Sequence, residues 1–218
     1  MIFDLQWVQN NAGYLARLVG EHAVLAILPV IAAFLVAVPL GYLIFRTGRA
    51  AGAVLTVCGV VYAIPFLALF VAVPLLFGVD LLSPITVGIA LTIYSVALLV
   101  ATVVDGLRSV PTEVRQSATA AGYSPLGRLI RIELPLAMPK IFAGLRAVTV
   151  SNIALVSVAA VIGGGALGEL FDEGLASRLY TPAIVGLALT ILLAVLADVL
   201  IRIIQRGSLP WARKQQPA

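Results

Sequence analysis

The chain has 218 residues, of which 61% are hydrophobic and 11% charged, with a formal net charge of +4. Soluble domains carry about 25% charged residues, so this composition excludes an ordinary water-soluble fold and makes lipid the solvent for most of the surface. The basic residues sit at the ends of apolar runs with no aromatic platform beside them, which excludes nucleic-acid binding.

In chain order, residues 1–22 form an external or interfacial segment. They lack the basic start of a secretory signal and carry Asp4 before any long apolar stretch. Trp7 and Tyr14 suit a short helix at headgroup level, with Glu21 and His22 as a solvated boundary. Residues 23–45 are uncharged and long enough for a hydrocarbon core of about 30 Å at about 1.5 Å per residue. Pro29 and Pro39 lie inside that run, which is tolerable where neighbouring helices satisfy the freed carbonyls. A second span covers 51–77, with Pro65 and Pro74 expected to kink or end it, and a third covers 82–104. Cys58, the single cysteine, lies in the second span and reads as a buried, inert thiol. Asp105 and Arg108 have the (i, i+3) spacing of an ion pair. After a polar stretch come a fourth span over 143–163, a short acidic connection, and a fifth span over 182–203, near whose end Asp198 and Arg202 stand at (i, i+4). The chain thus reads as all-α: one membrane-embedded helical bundle, residues 1–218, with five spans.

Basic loops stay cytoplasmic. With the amino terminus outside, all 14 Lys and Arg residues except Arg17 and Arg178 fall on the inner side. The expected orientation is therefore amino terminus out and carboxyl terminus in, with a cytoplasmic loop over 108–140. Splitting the second span in two would destroy this bias.

That loop holds the most specific pattern in the chain. Pro111 suits a first helical turn, Glu113 complements the positive helix end, and Gly122 can end the helix in a left-handed conformation. A helix is therefore expected over 112–121, with Ser117, Ala118 and Ala121 as one face of small side chains that lets another surface approach closely. Pro135 and Pro139 are expected to limit regular helix before the fourth span. On these grounds alone the segment is either a docking helix or an amphipathic helix lying on the lipid.

The pattern resembles the signature loop of the permease subunits of ATP-binding-cassette importers, which reads Glu-Ala-Ala, three residues, Gly, nine residues, Ile, one residue, Leu-Pro. Gln116, Ser117 and Ala118 stand at the first three positions, and Gly122, Ile132, Leu134 and Pro135 match the rest. Gln116 replaces Glu and Ser117 replaces Ala, which keeps a polar then a small residue but removes the charge at position 116. The resemblance covers nearly the whole chain. It implies a multi-pass permease of the bacterial cell membrane. It also implies a cytoplasmic ATPase dimer on which the helix before Gly122 docks, an extracytoplasmic solute-binding protein, and a second permease subunit, the same or related. The passage after Lys140, above all Ile162 to Gly168, is similar to permeases for quaternary-amine osmoprotectants such as glycine betaine, choline and carnitine. Related glycine-rich turns occur in permeases for methionine and other small solutes, so an amino acid or a betaine-like thiol compound is the alternative.

Aromatic faces bind quaternary ammonium groups, and Tyr62, Phe66 and Tyr94 in spans two and three either line a cation path or pack in the bundle core. Ser151 and Asn152 in span four either touch solute or bind helices together. Gly163 to Gly165 read as an external turn or a gate. No Gly-x4-Gly-Lys-Ser/Thr loop is present, so ATP hydrolysis belongs to another polypeptide. An ATP-independent channel would need a filter or charged ring that the sequence lacks. An intramembrane enzyme would need catalytic His or paired Asp residues that are equally missing. No cofactor, metal ligand set or catalytic residue is expected.

Overall fold

The computed structural model describes residues 3–48, 50–160, 165–177 and 180–211. Gly163 and Gly164, together with Arg49, Arg178, Arg213 and Lys214, which entered the orientation argument, lie outside the described residues. The described chain is helical: α1 (Leu5–Asn10), α2 (Ala12–Arg46), α3 (Ala50–Ala63), α4 (Phe66–Phe77), α5 (Pro84–Arg108), α6 (Thr112–Ala120), α7 (Pro125–Arg128), α8 (Leu134–Ala160), α9 (Glu169–Ser177) and α10 (Tyr180–Ser208). A π turn, Leu129–Glu133, joins α7 to α8, and a 3-10 turn, Ala166–Gly168, precedes α9.

Four of these stretches are long and apolar enough to cross a membrane: Ala12–Arg46, Pro84–Arg108, Pro125–Ala159 and Tyr180–Ser208. The expected second span is a broken pair instead, α3 and α4, bent by 102°. Pro65 causes the break. It cannot donate the bond that would continue α3, and it drives Ile64 away from helical geometry. Its own carbonyl then accepts from the Ala68 and Leu69 N–H groups and starts α4.

Packing shows where the two halves lie. Ala51, Val54 and Leu55 of α3 pack with Ile44 at the end of α2 and Val104 near the end of α5. Phe66, Leu69, Phe70 and Val73 of α4 pack with Val87, Ala90 and Leu91 near the start of α5. The pair therefore runs from the level where α5 ends to the level where it begins. It covers the height of the bundle in two steps.

α5 is the hub, packing on α2, α3, α4 and α8. Within its most apolar stretch 56% of residues are buried, against 11% for α10, which leaves most of α10 facing outward. Close approach of α5 to its neighbours requires glycine. A Cβ at Gly41 of α2 would lie 2.7 Å from Val103 Cγ1, and one at Gly144 of α8 would overlap Thr102.

Four further expectations are corrected. The first spanning helix begins at Ala12, not near residue 23, and only α1 is a separate short piece. His22 is not at a solvated boundary. Leu15, Leu18, His22, Ala26 and Pro29 follow helical spacing onto one inward face, and His22 is fully buried, with Nε2 2.8 Å from the Ile153 carbonyl oxygen. Glu21 is exposed and pairs with Arg17. Pro135 and Pro139 do not interrupt the helix into the fourth span, because Pro125–Ala159 is one continuous rod. The missing N–H of Pro135 falls where the bonding register changes. The Leu134 N–H reaches back to the Leu129 carbonyl to close the π turn, and the α-helical pattern starts there. Among the described residues Asp105 and Arg108 form no ion pair, and both are exposed at the end of α5.

Candidate functional site

The 111–139 stretch folds into two arms. The first is α6. Pro111 precedes it, Glu113 lies in its first turn, and its end is closed by Gly122 at φ +84°. The Gly122 N–H donates to the Thr119 carbonyl at 3.0 Å and the Tyr123 N–H to the Ala118 carbonyl at 3.1 Å. This paired closure requires a left-handed residue and satisfies carbonyls the helix would otherwise leave open. A Cβ at Gly122 would meet nothing, so the demand for glycine is one of backbone conformation alone.

The small face divides. Gln116, Ser117, Ala120, Ala121 and Gly122 are exposed, whereas Ala118 is buried against its own chain. The second arm is the foot of the rod that becomes α8. There Ile132, Leu134 and Pro135 are half-buried, and Leu134 packs against the cluster built on Val103, Leu107, Leu129, Ala137 and Ile141. The residues of the sequence pattern thus separate into an outward group on α6 and a seating group at the base of α8.

Arginines join the arms to the bundle. Arg115 Nη2 donates to the Leu107 carbonyl at 3.0 Å and the Val110 carbonyl at 2.6 Å, and its guanidinium lies 5.0 Å from the centre of the Phe45 ring. It therefore holds α6 to the ends of α5 and α2. Arg128 Nε donates to Glu133 at 2.7 Å, and its Nη1 donates to Thr119 Oγ1 of α6 at 2.7 Å. Glu133 is 1% exposed. The sequence reading missed this network, because its pairs stand five or nine residues apart and not at the three- or four-residue spacing of an α-helix.

The three aromatic candidates come together at the elbow between α3 and α4. Tyr62 and Tyr94 have ring centres 5.5 Å apart, and Phe66 meets Tyr94 edge-on at 5.9 Å. Tyr94 and Phe66 are buried, while Tyr62 is 43% exposed. Asn152 is buried on α8 and engaged by the chain itself. Its Nδ2 donates to Ser95 Oγ at 3.0 Å and to the Ala26 carbonyl at 3.3 Å, and the Ser95 hydroxyl is 3.3 Å from Asn152 Oδ1. One amide thus ties α2, α5 and α8. Ser151, its neighbour, is half-buried. Near the end of α10, Asp198 accepts from Arg202, as the spacing suggests, and also from Arg146 of α8.

Comparison with known proteins agrees with this architecture. Residues 30–209 match the family described as binding-protein-dependent transport system inner membrane component. The osmoprotectant import permease protein OsmW of Salmonella typhimurium is 35% identical over 206 residues, covering 92% of this chain and 94% of that one. The choline transport system permease protein OpuBB of Bacillus subtilis is 33% identical over 208 residues, covering 94% of each. An ergothioneine transport permease/ergothioneine binding protein of Helicobacter pylori is 32% identical over 166 residues, 76% of this chain and 30% of that longer one. Among solved structures, an inward-facing form of the MetNI methionine ABC transporter aligns with TM-score 0.80 at 19% identity, over 89% of this chain and 95% of that one. The chain belongs to the binding-protein-dependent transport system inner membrane components, the multi-pass permease subunits of ATP-binding-cassette importers.

Proposed function

We propose that this permease forms half of the path for a quaternary-amine osmoprotectant of the glycine betaine, choline or carnitine type. A second permease subunit, the same or related, forms the other half. A separate ATPase dimer docks on the exposed face of α6, Gln116, Ser117 and Ala121, up to Gly122. An extracytoplasmic binding protein delivers the solute to the opposite end, and the amino terminus lies outside.

The observation that carries the coupling part is the exposed small face of α6, closed by Gly122 and held by arginines to the ends of the bundle helices. Small exposed side chains on a fixed helix suit a partner that must approach the backbone. The solute class is supported by the relatives named for osmoprotectant and choline transport. The rings at the α3–α4 elbow are chemically compatible with a cation lacking N–H donors. The relative named for ergothioneine keeps a betaine-like thiol compound as the second reading.

The test is an affinity pull-down of this subunit from its native membrane, with companions identified by mass spectrometry. The expected companions are an ATPase and a binding protein, and the latter is then titrated with glycine betaine, choline, carnitine and amino acids. Recovery of the intact subunit alone in mild detergent overturns the coupling reading. A binding protein that takes only amino acids overturns the solute.

A further inference from the structure

We propose that Arg128 is a positioning residue that clamps α6 to the foot of the α8 rod. Displacement of α6 by a cytoplasmic partner is then delivered to α8 as rigid-body motion. The inference rests on the reading of α6 as the docking helix and adds the device that makes docking mechanically useful.

Three observations carry it. The first is the rod. Pro125–Ala159 is a continuous 35-residue helix in which α7, the π turn and α8 share one course. At about 1.5 Å per residue it is about 50 Å long, enough to reach from a cytoplasmic surface through a bilayer core. The second is the joint. α6 reaches the rod through four residues, 121–124, of which Ala121 ends α6 and Ser124 caps α7 by accepting from the Gly127 N–H at 3.1 Å. A Cβ at Gly122 would meet nothing, so backbone bonds to Thr119 and Ala118 hold the turn locally, and this turn is the hinge of the proposal.

The third is the brace. One guanidinium spans the hinge, bonding Thr119 on one side and Glu133 on the other, both at 2.7 Å. The Thr119 hydroxyl also donates to the Arg115 carbonyl at 2.9 Å, and Arg115 in turn bonds the Leu107 carbonyl in the last turn of α5 and the Val110 carbonyl just beyond it. Glu133 has a side-chain exposure of 2%, and removing one partner of a buried ion pair is strongly destabilising. Its partner points back across the hinge. A loop needed only to connect two spans would require neither the buried acid nor the bracing cation.

The experiment uses the complex of this subunit with its ATPase, in a Cys58→Ser background. Spin labels are placed at Glu113→Cys on α6 and Lys140→Cys on the rod, both exposed positions. The label-to-label distance distribution is measured without nucleotide and after trapping with ATP and vanadate. The expected result is one narrow population that is the same in both states, and a distribution at least doubled in width in Arg128→Gln. Arg128→Gln leaves Glu133 unpaired and can fail to fold. The double variant Arg128→Leu/Glu133→Leu removes both charges, a replacement that buried pairs tolerate. It is expected to assemble with the ATPase yet show the same broadening. A narrow distribution in the double variant, or a distance that changes between nucleotide states in the unaltered clamp, overturns the proposal. Cross-linking from Ser117→Cys to the ATPase tests docking separately. Its failure with a narrow, clamp-dependent distance rejects the docking surface and leaves the brace standing.

Discussion

Replacing Asn152 distinguishes a solute contact from a structural tie. Asn152→Ala removes the two donor bonds to Ser95 and Ala26 and leaves the Ser95 hydroxyl without a partner inside the bundle. Side-chain bonds between membrane helices average about 0.6 kcal/mol and reach about 1.7 kcal/mol in mutant cycles. An orphaned polar group costs about 1–3 kcal/mol. Asn152→Ala is therefore expected to cost about 2 kcal/mol and Ser95→Ala about 1 kcal/mol. The double variant should cost no more than Asn152→Ala alone, because the second substitution removes a hydroxyl already stranded. The coupling is then about 1 kcal/mol, roughly a fivefold change in the folding equilibrium. The assay is detergent-driven unfolding of the purified subunit followed by helical circular dichroism, with solute uptake measured on the same variants. Additive single costs would refute the tie. Uptake lost at unchanged stability would return Asn152 to the pathway.

Gly144→Leu should prevent accumulation of folded subunit, because even a Cβ there overlaps Thr102. Thr102→Ala is expected to recover part of the loss for Gly144→Ala, both read as a monodisperse peak in detergent chromatography. At Gly122, where φ is +84° and no atom stands near a Cβ, the expected order of coupled transport is Gly, then Asn, then Ala, then Val. The cost to Ala is about 1–2 kcal/mol of backbone strain, and equal activity across the series would show that the left-handed closure is dispensable. Of the two arginines paired with Asp198, Arg146→Gln should lower thermal stability more than Arg202→Gln, since the Arg146 side chain is 26% exposed and Arg202 52%. The reverse order in a thermal melt would place the stabilising contact on α10 itself rather than between α8 and α10.

What the sequence revealed and what it hid divide along physical lines. Gly122 was readable because a left-handed helix end has one favoured residue, and the α6 helix itself because its start and stop signals are local. The uncharged runs located the long apolar helices but not where α2 begins. The bend between α3 and α4 was only half readable: Pro65 announces a break, but the 102° turn is set by packing on opposite ends of α5. His22 was misread because neighbouring charges suggest water, while the inward face from Leu15 to Pro29 becomes decisive only when α8 is known to lie against it. Ala118 was assigned outward for the same reason, since helical spacing groups residues without saying which group meets the protein.

The Arg128 brace lay further out of reach, and the reason bears on how coupling works. Sequence periodicity detects contacts within one regular helix. A brace must act where regularity fails, across the turn at Gly122, because there is motion to prevent there. Its partners therefore stand at separations that no helical pattern weights: five residues to Glu133 and nine to Thr119. The same argument explains why Pro135, directly after the π turn, does not break the rod. Leu134 closes the wide turn before Pro135, so Pro135 interrupts no established α-helical bond, and the chain passes from α7 to α8 without a joint. The only joint in the 111–139 stretch is then the one at Gly122, and that is the one the guanidinium crosses.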